Sequence, residues 1–302
     1  MSFLKVIVLA VVQGLAELLP VSSSAHVVVA EKLMGLDPSS PPMTLLLVML
    51  HTGTMFAVIA YFWRQWRNTY FSSGAAFKRF AGLVILATVL TGIIGEVIIK
   101  ILEKTFFRGT PHAEIEDLFS HLEIVAPALA AAGLLILIAG IVENRREKSN
   151  PDLATESGNV AKTTGETTGL TGKQAGLIGA VQGLCLPFRG FSRSGATISA
   201  GMLAGVPKLQ AERFSFALAV VLTPPVVLRE ALRLVHAEHL TGAAGLTSAA
   251  LPSVIGAICA FFAGLVALKW LSGWLEHGRW YLFGIYCLIA SAAVAYMHHL
   301  GY

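Results

Sequence analysis

The sequence predicts an all-α integral membrane protein arranged as an inverted repeat, each half a re-entrant helix hairpin followed by three transmembrane helices. Three observations lead there. Of the 302 residues, 55% are hydrophobic and 13% are charged, with a mean hydropathy of +0.70, whereas a soluble domain carries roughly 25% charged residues. Six apolar runs, near 43–63, 81–102, 122–142, 210–229, 249–270 and 280–298, each match the ~20 residues that cross a bilayer as a helix. Two further regions, 3–34 and 174–206, are apolar but broken near their middles by a proline and a serine-rich stretch.

The broken regions predict the hairpins. Each half is too short to span alone, so the chain enters the membrane, turns and leaves on the same side, a course tolerated only where protein buries it or a wet cavity is lined. The first reads "AVVQGLAELLPVSSSAH" and the second "GAVQGLCLPFRGFSRSGAT". Both run Val-Gln-Gly-Leu, then Leu-Pro, then a hydroxyl-rich turn and a second short helix. The spans that follow both hold a central break, "LHTGTMF" at 50–56 and "LTPPVV" at 222–227. This is an internal repeat, with residues 1–142 as the first copy and 174–302 as the second. Three spans separate the copies, so the second starts on the opposite side and the polar tips are expected to meet near the midplane.

Positive charge sets the orientation. The loop at 64–79 holds Arg64, Arg67, Lys78 and Arg79 with no acid, and the stretch 143–173 holds Arg145, Arg146, Lys148, Lys162 and Lys173. Lys208, Arg213, Lys269 and Arg279 flank other ends on the same side, while 103–121 and 230–247 are poorer in Lys and Arg. Residues 64–79 and 143–173 are therefore expected in the cytoplasm and both termini outside. The segment 149–172 is polar and rich in Thr and Gly, as a linker between repeats would be. The N-terminal run has a weak n-region and is read as a retained segment rather than a cleaved signal. Cys185, Cys259 and Cys287 have no CxxC spacing and read as small core residues. The net charge of +4 comes with no nucleic-acid motif, and none is expected as a partner.

The breaks carry the chemistry. Gln13 and Glu17 are four apart and share a helix face; a carboxylate in a membrane segment marks a functional site by default. Pro20 stops the half-helix, and Ser22, Ser23 and Ser24 open the next one, with His26 in its first turn. In the second break Ser192, Arg193 and Ser194 stand at a helix start between Gly190 and Gly195, and Thr197 lies one turn in. Free N–H groups, hydroxyls and an arginine fork make an anion site suited to phosphate, and Arg189 adds a second positive charge. One break thus offers a phosphate cradle, the other a carboxylate for a divalent cation, a hydroxyl from Ser22 or Ser23, and His26. Ser with His is the minimum for an activated nucleophile, though the His could itself be phosphorylated or protonate a leaving group. The other histidines read as loop, end or packing residues, with His51 the exception because it interrupts a span.

"VQGLAELLPVSSSAH" and "GFSRSGATISAGMLAGV" resemble the two signature motifs of the undecaprenyl-pyrophosphate phosphatases, the bacitracin-resistance family, and the resemblance extends through "FAVIAYFWRQW" at 56–66 and "ERFSFALAV" at 212–220. It implies an enzyme of the bacterial cytoplasmic membrane that removes one phosphate from undecaprenyl pyrophosphate, recycling the carrier lipid for peptidoglycan, with its site facing outward and a divalent cation, Mg²⁺ or Ca²⁺. Glu17 matches the second acid of the first motif. Ser23 and His26 match its nucleophile or base pair, and Ser192, Arg193 and Thr197 match the phosphate-binding motif. Two positions depart from the family. Gln13 stands where a first acid is usual, which removes the charge of one metal ligand, and "PFRG" places Arg189 where Pro-Gly is usual. The expected partners are a prenyl pyrophosphate and membrane lipid, with oligomeric state, a homodimer included, left open. The competing class is a transporter or flippase of a lipid phosphate or small anion, because inverted repeats with broken helices are also a transporter device.

Overall fold

The computed structural model describes residues 2–37, 40–106, 122–149, 170–188, 190–241 and 245–300. The described residues form ten helices: α1 (Phe3–Leu18), α2 (Ser23–Leu33), α3 (Pro41–Thr69), α4 (Gly74–Phe106), α5 (Leu122–Ser149), α6 (Gly172–Cys185), α7 (Arg193–Leu203), α8 (Lys208–Thr241), α9 (Gly245–Glu276) and α10 (Trp280–His299). Six helices (α3, α4, α5, α8, α9 and α10) contain stretches long and apolar enough to cross a membrane. The four short ones form the pairs α1–α2 and α6–α7, each ahead of three long helices, as the two broken regions predict. The chain is an all-helical, multi-pass membrane protein. Arg189 and most of the linker segment lie outside the described residues.

One expectation is corrected. The sequence placed central breaks in the third and eighth helices, yet both are continuous. The polar residues at "LHTGTMF" turn inward on their own helix: Thr52 Oγ1 donates to the Val48 carbonyl at 2.8 Å and Thr54 Oγ1 to that of His51 at 2.9 Å. Pro224 and Pro225 lie inside α8, where Thr223 Oγ1 donates to the Ala219 carbonyl at 2.8 Å. In a membrane segment such local bonds let a helix carry residues that would end one in water.

The helices divide into two compact units. The first comprises residues 1–19, 23–62 and 219–271. Its core is Val6, Leu9, Ala10, Val27, Met43, Leu46, Leu50 and Ala260, so α1 and α2 are seated among α3 and α9. Lys5 Nζ donates to the Met34 carbonyl at 2.7 Å, closing the α1–α2 hairpin at its open end.

The second unit comprises residues 20–22, 63–218 and 272–302. Here α5 and α10 approach backbone to backbone: a Cβ built at Gly284 would stand 2.7 Å from the Gly133 carbonyl oxygen, so only glycine fits. Small residues at such crossings let dispersion and interhelical hydrogen bonds replace the absent hydrophobic drive. Thr91 of α4 is fully buried, donates to the Gly179 carbonyl of α6 at 2.8 Å and accepts from Gln182 Nε2 at 3.2 Å. At the ends of α5 and α8, Lys208 Nζ meets Glu147 Oε1 at 2.6 Å and the Glu276 carbonyl at 3.1 Å.

Candidate functional site

α1 ends at Leu18 and α2 begins at Ser23, and the turn between them brings side chains six residues apart face to face. Ser22 makes this turn with φ +66°, a left-handed conformation unusual for a residue with a Cβ. Ser23 Oγ donates to Glu17 Oε2 at 2.5 Å, and Gln13 Nε2 donates to the same oxygen at 3.2 Å. Glu17 therefore receives a hydroxyl from the far side of the break and an amide from one turn earlier on its own helix. Gln13 is buried, so its amide is committed to this carboxylate rather than to solvent. His51 of α3 completes the group, with Nε2 3.9 Å from Glu17 Oε2. His26, three residues after Ser23, is half-buried on α2.

In the second unit the break leads into α7. Gly190 has φ +101°, and a Cβ there would strike the Val125 carbonyl, so the chain turns at the one residue without a side chain. Ser192 is the N-cap of α7, its Oγ accepting from Gly195 N at 3.2 Å. Arg193 is the first helical residue and is half-buried, while Ser192 and Ser194 are buried. Thr197 is fully buried, its hydroxyl donating to the Arg193 carbonyl at 2.8 Å and lying 2.6 Å from Ser215 Oγ of α8. It braces α7 from within the protein.

This short helix is fixed along its length. Trp280 Nε1 donates to Ser199 Oγ at 3.0 Å. At the C-terminus, Arg146 Nη1 donates to the Met202 carbonyl at 2.9 Å and Nη2 to that of Leu203 at 3.4 Å, while Gln174 Nε2 donates to that of Ala204 at 3.0 Å. The Met202 carbonyl also accepts the Gly205 N–H at 3.0 Å, and cationic or amide donors are the natural complement of such helix-end carbonyls. The sequence offered no sign of Arg146, Gln174, Ser215 or Trp280 as supports, because each reaches α7 from a distant part of the chain.

The two groups differ chemically. One is a carboxylate that accepts from a serine hydroxyl, which raises the nucleophilicity of that oxygen. The other is a helix N-terminus with an arginine and hydroxyls, which suits an anion with several oxygens. Among the described residues no three His, Cys, Asp or Glu side chains gather as a metal cage. A single carboxylate still fits a hard divalent cation whose remaining positions are filled by substrate phosphates, the arrangement Mg²⁺ favours.

The profile of the family described as bacitracin resistance protein BacA matches residues 6–293. The chain belongs to that family. Undecaprenyl-diphosphatase 2 of Acinetobacter baylyi is 54% identical over 297 residues, covering 97% of each chain. Undecaprenyl-diphosphatase of Desulfatibacillum aliphaticivorans is 32% identical, covering 97% of this chain and 98% of its own. Its counterpart in Syntrophotalea carbinolica is 33% identical over 95% of both. The sequence resemblance therefore holds over almost the full length.

Proposed function

We propose that this chain is an undecaprenyl-diphosphatase, hydrolysing undecaprenyl pyrophosphate to undecaprenyl phosphate and inorganic phosphate, and so returning the carrier lipid to wall synthesis and conferring bacitracin resistance. The observation that carries the mechanism is the Ser23–Glu17 hydrogen bond of 2.5 Å. Glu17 takes the Ser23 proton as Oγ attacks the terminal phosphorus. The bond from that phosphorus to the bridging oxygen breaks, and undecaprenyl phosphate leaves with the bridging oxygen. His26 protonates that oxygen or assists the water that then cleaves the phosphoserine. Arg193, with Ser192, Ser194 and the N–H groups that open α7, binds the phosphate oxygens, and Thr197 holds Arg193 in place. Ser22 shapes the turn and offers a second hydroxyl to the phosphates, and Arg189 adds positive charge.

A divalent cation, Mg²⁺ or Ca²⁺, belongs to this reading. Glu17 would hold it, supported by Gln13, and it would supply neutralisation of the charge that builds on the phosphates. The positive-inside pattern supports a site opening outward from the bacterial cytoplasmic membrane, with the prenyl tail among the apolar helices. The test is phosphate release from a prenyl pyrophosphate by purified full-length protein, with and without EDTA. Release that EDTA suppresses and magnesium restores is expected. No release, together with substrate-dependent flux in vesicles, would overturn the reading in favour of transport.

A further inference from the structure

His51 sits on a long apolar helix with its imidazole side chain 45% exposed and its Nε2 3.9 Å from Glu17 Oε2. Its other nitrogen, Nδ1, lies 2.8 Å from the Leu47 carbonyl. A carbonyl only accepts, so Nδ1 carries the hydrogen, and in the neutral ring Nε2 is left with its lone pair toward the carboxylate. A histidine that donates one N–H to a backbone carbonyl and presents its other nitrogen beside a carboxylate has the preparation seen in metal ligands, where that second bond fixes tautomer and ring orientation. Two donors each about 2 Å from one cation lie about 3–4 Å apart, so the present separation is at the wide end of the range for a shared ion. A hydrogen bond between the two is excluded at this distance.

The neighbouring residues sharpen the choice. Gln13 adds no charge where a second carboxylate would, and Ser23 is a neutral donor. At this point Glu17 supplies a carboxylate oxygen and His51 an imidazole nitrogen. Ca²⁺ and Mg²⁺ take oxygen, whereas imidazole suits first-row transition ions.

We propose that His51 is a second protein ligand, through Nε2, for the cation held by Glu17, and that it shifts the site's preference from Ca²⁺ toward a divalent transition-metal ion. This rests on the reading that Glu17 holds a cation. Arg193 and the α7 cradle play no part in it.

The test is Mn²⁺ binding to the full-length protein in detergent, without substrate, read by the loss of free-ion electron paramagnetic resonance signal and by pulsed detection of nitrogen coupled to bound Mn²⁺. Coupling that changes when histidine is ¹⁵N-labelled is expected in the wild type. It should vanish in His51→Gln and His51→Ala and persist in His26→Ala. Mn²⁺ affinity relative to Ca²⁺ should fall about tenfold or more in the His51 variants. Absence of histidine coupling in the wild type, or its survival in both His51 variants, overturns the proposal; the wild-type measurement decides even if the variants fold poorly. Glu17→Ala separates the two readings. If it leaves Mn²⁺ binding intact, the cation role of Glu17 fails. If binding needs Glu17 but is indifferent to His51, only the present inference fails.

Discussion

Gly190→Ala, set against Gly205→Ala, isolates how tightly the turn into α7 is built. Both glycines have positive φ, +101° and +80°. At Gly205 an added Cβ meets no heavy atom within 4 Å, so only the backbone penalty applies, about 1–2 kcal/mol. At Gly190 the Cβ would press on the Val125 carbonyl and stand 3.2 Å from Val125 Cα, backbone atoms that cannot rotate away. That contact adds about 1–3 kcal/mol of overpacking, for a total of about 2–5 kcal/mol. The assay is thermal unfolding in detergent followed with a thiol-reactive dye, because Cys185 and Cys287 are buried and become reactive only on unfolding. With about 2–4 °C of Tm per kcal/mol, Gly190→Ala should melt clearly below Gly205→Ala. Phosphate release should separate them further. Gly190 lies two residues before the cap of α7, and a shift of 1 Å at a reacting centre costs about 100-fold. Equal Tm and equal activity for the two variants would refute the account of the turn.

Other outcomes follow from the same geometry. Ser23→Ala and Glu17→Gln should each lower kcat by at least about 100-fold while leaving the dye-detected Tm near wild type, since each removes one side of the proposed attacking pair. Arg193→Lys keeps the charge but loses the planar fork, so kcat/KM should drop about tenfold, chiefly through KM, in a titration of prenyl pyrophosphate. Lys208→Met strands Glu147 beside an apolar side chain and should destabilise by about 3 kcal/mol, with Lys208→Met/Glu147→Leu recovering most of the loss in the same melting assay. Thr91→Val removes both hydrogen bonds between α4 and α6 and should lower stability by at least about 0.6–1.7 kcal/mol.

The long helices and the two short pairs were legible because hydropathy over about 20 residues is a local property of the chain. Glu17, Ser23 and Ser192 could be singled out for the same reason: polar groups in apolar runs declare themselves. Which groups bond to which was not legible. Residue type pairs Ser23 with His26, and only the structure, with its left-handed turn at Ser22, shows that the Ser23 hydroxyl donates to Glu17. The continuity of α3 and α8 was missed because Thr and Pro weaken helices in water, while in lipid the backbone has no better partner than itself. Lys208 and Glu147 are 61 residues apart, and only tertiary structure brings them to 2.6 Å.

The clasp on the last carbonyls of α7 gives the protein a gauge. α7 has 11 residues, so about 16 Å separates the N–H groups proposed to meet a phosphate from the Arg146 fork and Gln174 amide at its other end. Sliding the helix along its axis would break three hydrogen bonds together, and the amides therefore stay at one height. A lipid substrate arrives with its own height already set, because its tail is anchored and its headgroup cannot sink or rise freely. If those amides receive the substrate's phosphate as proposed, the enzyme would discriminate by elevation as well as by shape: a phosphate carried too high or too low on its anchor would not meet them, however well its oxygens would fit.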